Sequence, residues 1–375
     1  MSNTKWYQLE PTDAWFFRDG RPSNLGEDQS DLESLFPPHA STIVGAIRAA
    51  LARNCPHDWD GKSDWSDEIK TVLGDGFDCF GELSFQCPFL MKEDELLFPA
   101  PGHLLGEIEE RKFRPKSFLK PSQDKICCDL GNVYLPVANE GESQSDETSE
   151  RLKSPEGFFI TTSGMNQVLK GSLPVSEQLI HQSELYVLES RVGIEREEKT
   201  RTTKKGALYS PQYIRLAKGV TLVVGIAGLP EKWKLPSYFP LGGESRLAAC
   251  DPVDSPPQFP KAETDNCDML ILVTLAHFSG SSWYGANPGD DALHINKDLS
   301  GKVKTAMFDR PTNIGGWDSR KGKTRGPLPM QPYVPAGAIW WLEESLKLSD
   351  AETSLSLGDR TVYGYGIALP GKSTS

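Results

Sequence analysis

Two consecutive prolines, Pro37 and Pro38, stand one residue before the run ASTIVGAIRAAL, and this junction constrains the fold more than any other feature of the chain. Proline lacks an N–H and clashes with the preceding turn, so a helix can start after the pair but cannot run back through it. Beyond the pair, apolar residues fall at Ile43, Ala46, Ile47, Ala50 and Leu51, the i, i+3, i+4, i+7, i+8 spacing of a helix with one buried face. Ser41 or Thr42 is expected to cap its start by accepting from a free N–H of the first turn, a gain of ~1 kcal/mol. The outward N–H groups and the positive end of the dipole suit a phosphate there, and Arg18 and Arg21 lie just upstream.

Trp6 to Phe17 alternates apolar and polar residues as a strand does, and Asp19-Gly20 turns it. Strand, loop and helix open a ferredoxin-like βαββαβ module. A chain of 375 residues suggests two domains, and the fold class expected is α+β: two tandem ferredoxin-like, RRM-like modules with a projecting β-hairpin and long loop insertions. The boundary is placed in Pro252–Thr264, which holds four prolines and no periodicity, so that the modules span 1–255 and 265–375. Met269 to Phe278 alternates as Trp6 to Phe17 does, and each half carries glycines near its end, Gly242-Gly243 and Gly364 to Gly371, a faint internal repeat.

Within the first module, Gly81 to Met91 reads as a strand whose Pro88 suggests an edge or a bulge. Leu97 to Gly106 and Phe113 to Pro121 read as proline-containing connections, the second carrying Arg114, Lys116 and Lys120. Asn139 to Lys153 is low in apolar residues and reads as a mobile surface loop. Gly157 to Lys170 reads as a short strand and a helix, and Leu185–Ile194, Ala207–Leu216 and Val220–Leu229 as three strands. Val334 to Leu342 and the terminal RTVYGYGIALPG complete the strands of the second module.

Charge is distributed unevenly. The net value of −12 argues against wholesale polyanion binding. Yet residues 191–218 hold eight Lys or Arg against three Glu, and residues 297–325 hold eight against three Asp. The first basic segment includes EREEKTRTTKKG, between two strands and too hydrophilic to pack. It is expected to project as the tip of a hairpin over 194–207. Arg196, Arg201, Lys204 and Lys205 supply charge there and Thr200 and Thr202 hydroxyls, the mixture used for phosphate and 2′-OH contacts. The second includes IGGWDSRKGKTRGP, with Arg320, Lys321 and Arg325.

Several chemistries find no support in the sequence. Seven cysteines, an odd number without CxxC, read as free thiols rather than disulfides or a zinc site. Six histidines include no HExxH or HxH, and no Walker or GxSxG motif occurs. The terminal GxG does not extend to GxGxxG, because position 369 is Leu369 and only four residues follow Gly371. No cofactor and no metal is expected. His39, beside the helix start, is the one histidine placed to serve acid–base cleavage of RNA, and it reads more simply as a loop residue. No apolar run approaches the ~20 residues of a membrane helix, and MSNTKWYQLE has no signal-peptide pattern, so a cytoplasmic protein is expected.

FFRDGRP, an acidic spacer and LFPPxxST-x-x-GAIRAAL together closely resemble the start of a RAMP-superfamily CRISPR subunit, the component of type III-B Cmr effector complexes that binds the crRNA 5′ handle. RVGIEREEKTRTTKKGALY, PLGGESRLA, IGGWD, the VPAG run and the terminal GYGIALPG extend the resemblance, in family order, over nearly the whole chain. The resemblance implies a non-catalytic subunit in antiviral defence that holds the repeat-derived handle. It implies docking to the large polymerase-like subunit and the backbone RAMP subunit, and meeting target RNA only indirectly. It adds Arg48, Arg191, Gly242, Gly243, Arg246, Gly364 and Gly366 to the residues expected at RNA. The alternative is a RAMP endoribonuclease that processes precursor crRNA, which a histidine beside the terminal glycine loop would favour.

Overall fold

The computed structural model describes residues 4–18, 34–56, 59–60, 63–76, 79–128, 131–138, 152–197, 200, 202–261, 267–280, 282–286, 292–296, 299–318, 326–348 and 353–373. Of the expected mobile loop Asn139–Lys153, residues 139–151 lie outside the described residues. The chain is rich in strand, with three α-helices among the described residues. It divides into two compact units, each assembled from three stretches: 1–88, 183–256 and 313–331 in the first, and 89–182, 257–312 and 332–375 in the second. One junction, at 256/257, falls inside Pro252–Thr264; the others interleave the units along the chain.

In the first unit, β1 (Lys5–Pro11) is central. It pairs antiparallel with Val220–Ala227 on one side and Leu247–Pro252 on the other. The order of this part of the sheet is β2 (Ser84–Lys92, whose residues through Pro88 belong here), Val220–Ala227, β1, Leu247–Pro252 and Tyr238–Pro240. Val220–Ala227 is buried along nearly its whole length, which is why its sequence is continuously apolar rather than alternating.

Helix α1 (Ala40–Arg53) buries Ile43, Ile47, Ala50 and Leu51 of the face that its spacing defined, together with Val44, while Ala46 is half-buried. Full burial of each larger aliphatic side chain is worth ~1.5–3 kcal/mol. A shorter helix, α2 (Asp67–Leu73), is capped by Ser66, carries Asp67 and Glu68 in its first turn and ends at Gly74 with φ 75°. Outside the sheet, the chain from Tyr186 to Leu216 doubles back as an antiparallel ribbon. Tyr186–Ser190 pairs with Gln212–Leu216 and Gly193–Arg196 with Thr203–Tyr209. The register runs from Tyr186 opposite Leu216 to Ile194 opposite Leu208, then shifts before Arg196.

In the second unit, a six-stranded sheet runs in the order Ala292–Asn296, Leu299–Met307, Ile339–Leu346, Cys267–Leu272, Ile367–Gly371, Leu355–Ser356. Its core gathers Leu270, Leu272, Val303, Trp340, Leu342 and Ala368. The second half of β2 pairs with β3 (Glu95–Pro99), and β3 with Phe158–Thr161. Thr161 caps α3 (Thr162–Leu169) by accepting from Gly164 N at 3.2 Å. The basic stretch around Arg114 is not a connection, as its prolines suggested. Leu104–Glu109 and Lys112–Phe118 form a hairpin with Leu104 and Phe113 fully buried, and Arg114 and Lys116 pair with Glu109 and Glu107 at 3.0 and 3.3 Å. Alternation of buried apolar and charged residues outweighed Pro115.

Candidate nucleic-acid interface

The start of α1 is where the sequence placed it, but its cap is different. His39 occupies the cap position, no side chain accepts from the first turn, and Thr42 N donates to His39 O at 3.0 Å. Ser41 and Thr42 are therefore inside the first turn rather than capping it. The helix starts as soon as Pro38 permits, so the hydroxyls fall one turn position too late. Thr42 is exposed on a cleft of about 270 Å³ in the first unit, lined by Phe16, Phe17, Arg18, Pro38, His39, Gly242 and Gly243 among others. Burial holds the His39 imidazole neutral, with its pKa lowered to about 4.

The glycines close this cleft for a steric reason. Gly243 N donates to Phe16 O at 2.7 Å, and Gly242, at φ 87°, lies so near that a Cβ would stand 2.6 Å from the same oxygen. Backbone approach thus requires glycine at 242, and the partner is the segment after β1 that leads to Arg18. Arg18, Thr42, Gly242 and Gly243, four of the residues expected at RNA, are brought to one cleft.

Beside it lies a cluster that sequence reasoning found only in part. Asp13 accepts from Arg191 Nη1 at 2.9 Å and Arg215 Nη2 at 3.0 Å, and stands 3.4 Å from Arg246 Nη1. Glu189 accepts from Arg191 Nε at 2.7 Å and from Arg215 Nε at 2.7 Å. The ring of Tyr213, 5% exposed, lies under the guanidinium carbons of Arg191 and Arg246 at 4.8 and 4.3 Å and packs against Phe16. Hydrogen bonds from Arg191 and then Arg215 lower the pKa of both Asp13 and Glu189, so the carboxylates stay ionised. Arg191 and Arg246 were expected; Asp13, Glu189, Tyr213 and Arg215 were not. Once the ribbon register sets Glu189 opposite Tyr213, Arg191 and Arg215 share their face at two-residue spacing.

Farther along the ribbon, Thr200 Oγ1 is 2.7 Å from Thr202 Oγ1 and donates to Glu197 Oε2 at 3.0 Å, so the hydroxyls of the expected tip bond locally. Arg196, Lys204 and Lys205 lie on the ribbon strands. Arg21, Arg201, Arg320, Lys321 and Arg325 lie outside the described residues.

Three expected residues do other work. Arg48 is 8% exposed, and its guanidinium donates to Leu73 O at 2.8 Å, Gly76 O at 2.9 Å, Gly74 O at 3.2 Å and Cys79 O at 3.4 Å, with the Phe80 ring 4.7 Å beneath it. Its charge meets the carbonyl end of α2, where the helix dipole is negative. Its guanidinium is thus engaged within the fold, holding the end of α2 and the loop after it. Gly364 and Gly366 are buried in the second unit. Gly364 O accepts from Thr274 Oγ1 at 2.8 Å, and a Cβ on Gly366 would stand 1.9 Å from Leu357 O. Both are engaged by the protein's own packing. Tyr363 and Tyr365 are core. Among the described residues there is no group of three or more His, Cys, Asp or Glu arranged to hold a metal ion, and no helix is long and apolar enough to cross a membrane.

Residues 7–373 match the family CRISPR-associated protein (Cas_Cmr3), and the chain belongs to that family, as a RAMP-like subunit of a type III CRISPR effector. Comparison with curated protein sequences finds no match. Among solved structures, a chain of the cryo-EM structure of the type III-B Cmr-beta bound to cognate target RNA is 16% identical, with 90% of this chain and 86% of that chain covered and a TM-score of 0.48. A chain of the Csm3–Csm4 subcomplex of the type III-A CRISPR-Cas interference complex is 14% identical, with coverage of 98% and 99% and a TM-score of 0.43.

Proposed function

We propose that this chain holds the repeat-derived 5′ handle of crRNA, without cleaving it, as a cytoplasmic subunit docked to the large polymerase-like subunit and the backbone RAMP subunit of a type III-B effector. The observation that carries the reading is the cleft of the first unit. There the start of α1, Arg18 and the glycine turn converge beside aromatic rings, on a protein whose overall charge would otherwise repel RNA. Family membership supports a place in the complex and the docking partners.

Each unit also supports the tandem ferredoxin-like reading through strand order. In the first, the second strand, third strand, first strand and fourth strand are β2, Val220–Ala227, β1 and Leu247–Pro252, and in the second they are Leu299–Met307, Ile339–Leu346, Cys267–Leu272 and Ile367–Gly371. Both follow the antiparallel 2-3-1-4 order of that fold. Among the described residues, only the first has α-helices between its first two strands, α1 and α2, and neither has one before its last strand.

The test is binding of a fluorescent single-stranded repeat RNA to the full chain across a salt series. Replacing Arg201, Lys204 and Lys205 together with Gln should leave melting unchanged and flatten log affinity against log salt by up to ~0.7 per lost phosphate contact. Replacing Arg18 with Gln should weaken binding similarly. Absence of RNA binding by the wild-type chain would overturn the function, and an unchanged slope in the triple variant would remove the ribbon tip from it.

The endoribonuclease has one observation in its favour. His277 lies against the terminal glycine loop: its carbonyl accepts from Asp359 N at 2.7 Å, its Nδ1 is 3.8 Å from Asp359, and its ring is 4.9 Å from that of Tyr333, whose hydroxyl accepts from Arg360 at 2.7 Å. Histidine, tyrosine and arginine are suitable groups for acid–base cleavage. But His277 is 8% exposed, and burial, then Arg360, lower its pKa, against the opposing pull of Asp359. Access, more than chemistry, favours the binder. Specific cutting of precursor RNA that is lost in His277→Ala would reverse that judgement.

A further inference from the structure

We propose that Asp13, although negatively charged, is the positioning residue of the RNA-binding face: it aims Arg191, Arg215 and Arg246 at the phosphate backbone. This rests on the RNA-binding reading above and deepens it. Asp13 joins three segments distant in sequence, the chain after β1, both strands of the ribbon and the turn after Gly243, because its two oxygens meet all three guanidinium groups.

The physical argument concerns what such a cluster is for. Exposed ion pairs contribute only ~0–1 kcal/mol each to folding, and here the side chains of Asp13 and Arg215 are 44% and 42% exposed. As a stability device the network is weak. Its effect is geometric. Three guanidinium groups left alone would repel one another and sample many rotamers; held by Asp13 and Glu189 and lying partly over Tyr213, they stay together with one positive charge in excess. Each guanidinium has five N–H donors in a fixed fork; Arg215 Nη1 also donates to Asp13 O at 3.4 Å and Arg246 Nε is buried, and the donors that are neither bonded nor buried remain for phosphate. Groups already aimed at a ligand lose less freedom when it binds.

The proposal therefore predicts a sign opposite to that of simple electrostatics. Deleting a carboxylate near a polyanion should tighten binding if charge alone matters. Asp13→Ala should instead weaken binding of a fluorescent single-stranded repeat RNA by about tenfold at moderate salt and flatten the salt slope by at least one contact, ~0.7. Asp13→Glu, which keeps the charge on a side chain one methylene longer, should recover most of the affinity. Melting of each variant checks folding, and if the alanine variant is misfolded, Asp13→Asn takes its place with the same expectation. Affinity equal to or above that of wild type, a loss with unchanged slope, or a Glu variant as weak as the Ala variant would each overturn the proposal. A wild-type chain that binds no RNA would instead overturn the functional reading itself.

Discussion

Replacing Arg48 with Ala separates the sequence's expectation from the structure most directly. If Arg48 met RNA, the variant would fold normally and bind weakly. The structure predicts the reverse. Of its four carbonyl acceptors, the bonds to Leu73 and Gly74 are fully buried. A buried carbonyl left without a donor costs ~1–3 kcal/mol, so two give ~2–6 kcal/mol. Lost packing over the Phe80 ring adds ~0.5–1 kcal/mol. These contributions overlap, and the expected destabilisation is ~3–5 kcal/mol, in the range reserved for broken buried networks. Arg48→Lys should recover only part of this, because an ammonium cannot reach carbonyls spread from Leu73 to Cys79. Urea unfolding followed by tryptophan fluorescence should show an earlier midpoint, and hydrogen exchange should locate the loss in α2 and the loop after it. RNA affinity of the folded fraction should remain within about twofold, a change of ~0.4 kcal/mol. A variant within ~0.5 kcal/mol of wild type that nevertheless binds RNA poorly would refute the reasoning.

Gly366→Ala should lower the melting temperature, because φ 74° is strained for alanine and the new Cβ would stand 1.9 Å from Leu357 O; an unchanged melt would show that this turn moves freely. Stability should also fall as pH drops from ~6.5 towards 4. Burial lowers the pKa of His39 to about 4 and that of His103 to about 3, so across that window the unfolded chain binds protons that the folded chain excludes. His103→Phe preserves the stacking on Phe118 and the edge contact with Trp341. It should flatten the acid limb of a melting-temperature profile, and an unaltered limb would assign that dependence to other groups.

What the sequence determined by itself was local. The two prolines and the 3.6-residue spacing after them fix where α1 begins and which face it buries, because both act within a few residues along the chain. Strand patterning identified the ribbon and the central strands Lys5–Pro11, Val220–Ala227 and Cys267–Leu272 for the same reason, but not Leu104–Glu109, Lys112–Phe118, Ala292–Asn296 or Leu299–Met307. It failed where a residue's partner is distant. Arg48 sits among apolar helix positions, and nothing nearby in sequence says that its donors meet the carbonyl end of α2. Gly364 and Gly366 read as a loop open to a ligand until Leu357 is seen to occupy the approach. Asp13, Glu189, Tyr213 and Arg215 carry no motif, and they form a cluster only because the ribbon register puts Glu189 opposite Tyr213 and the bridge between Trp15 and Ile214 brings that face to the chain after β1. Register and packing are set by burial summed over the whole fold, so the site they build becomes visible only when the fold is complete.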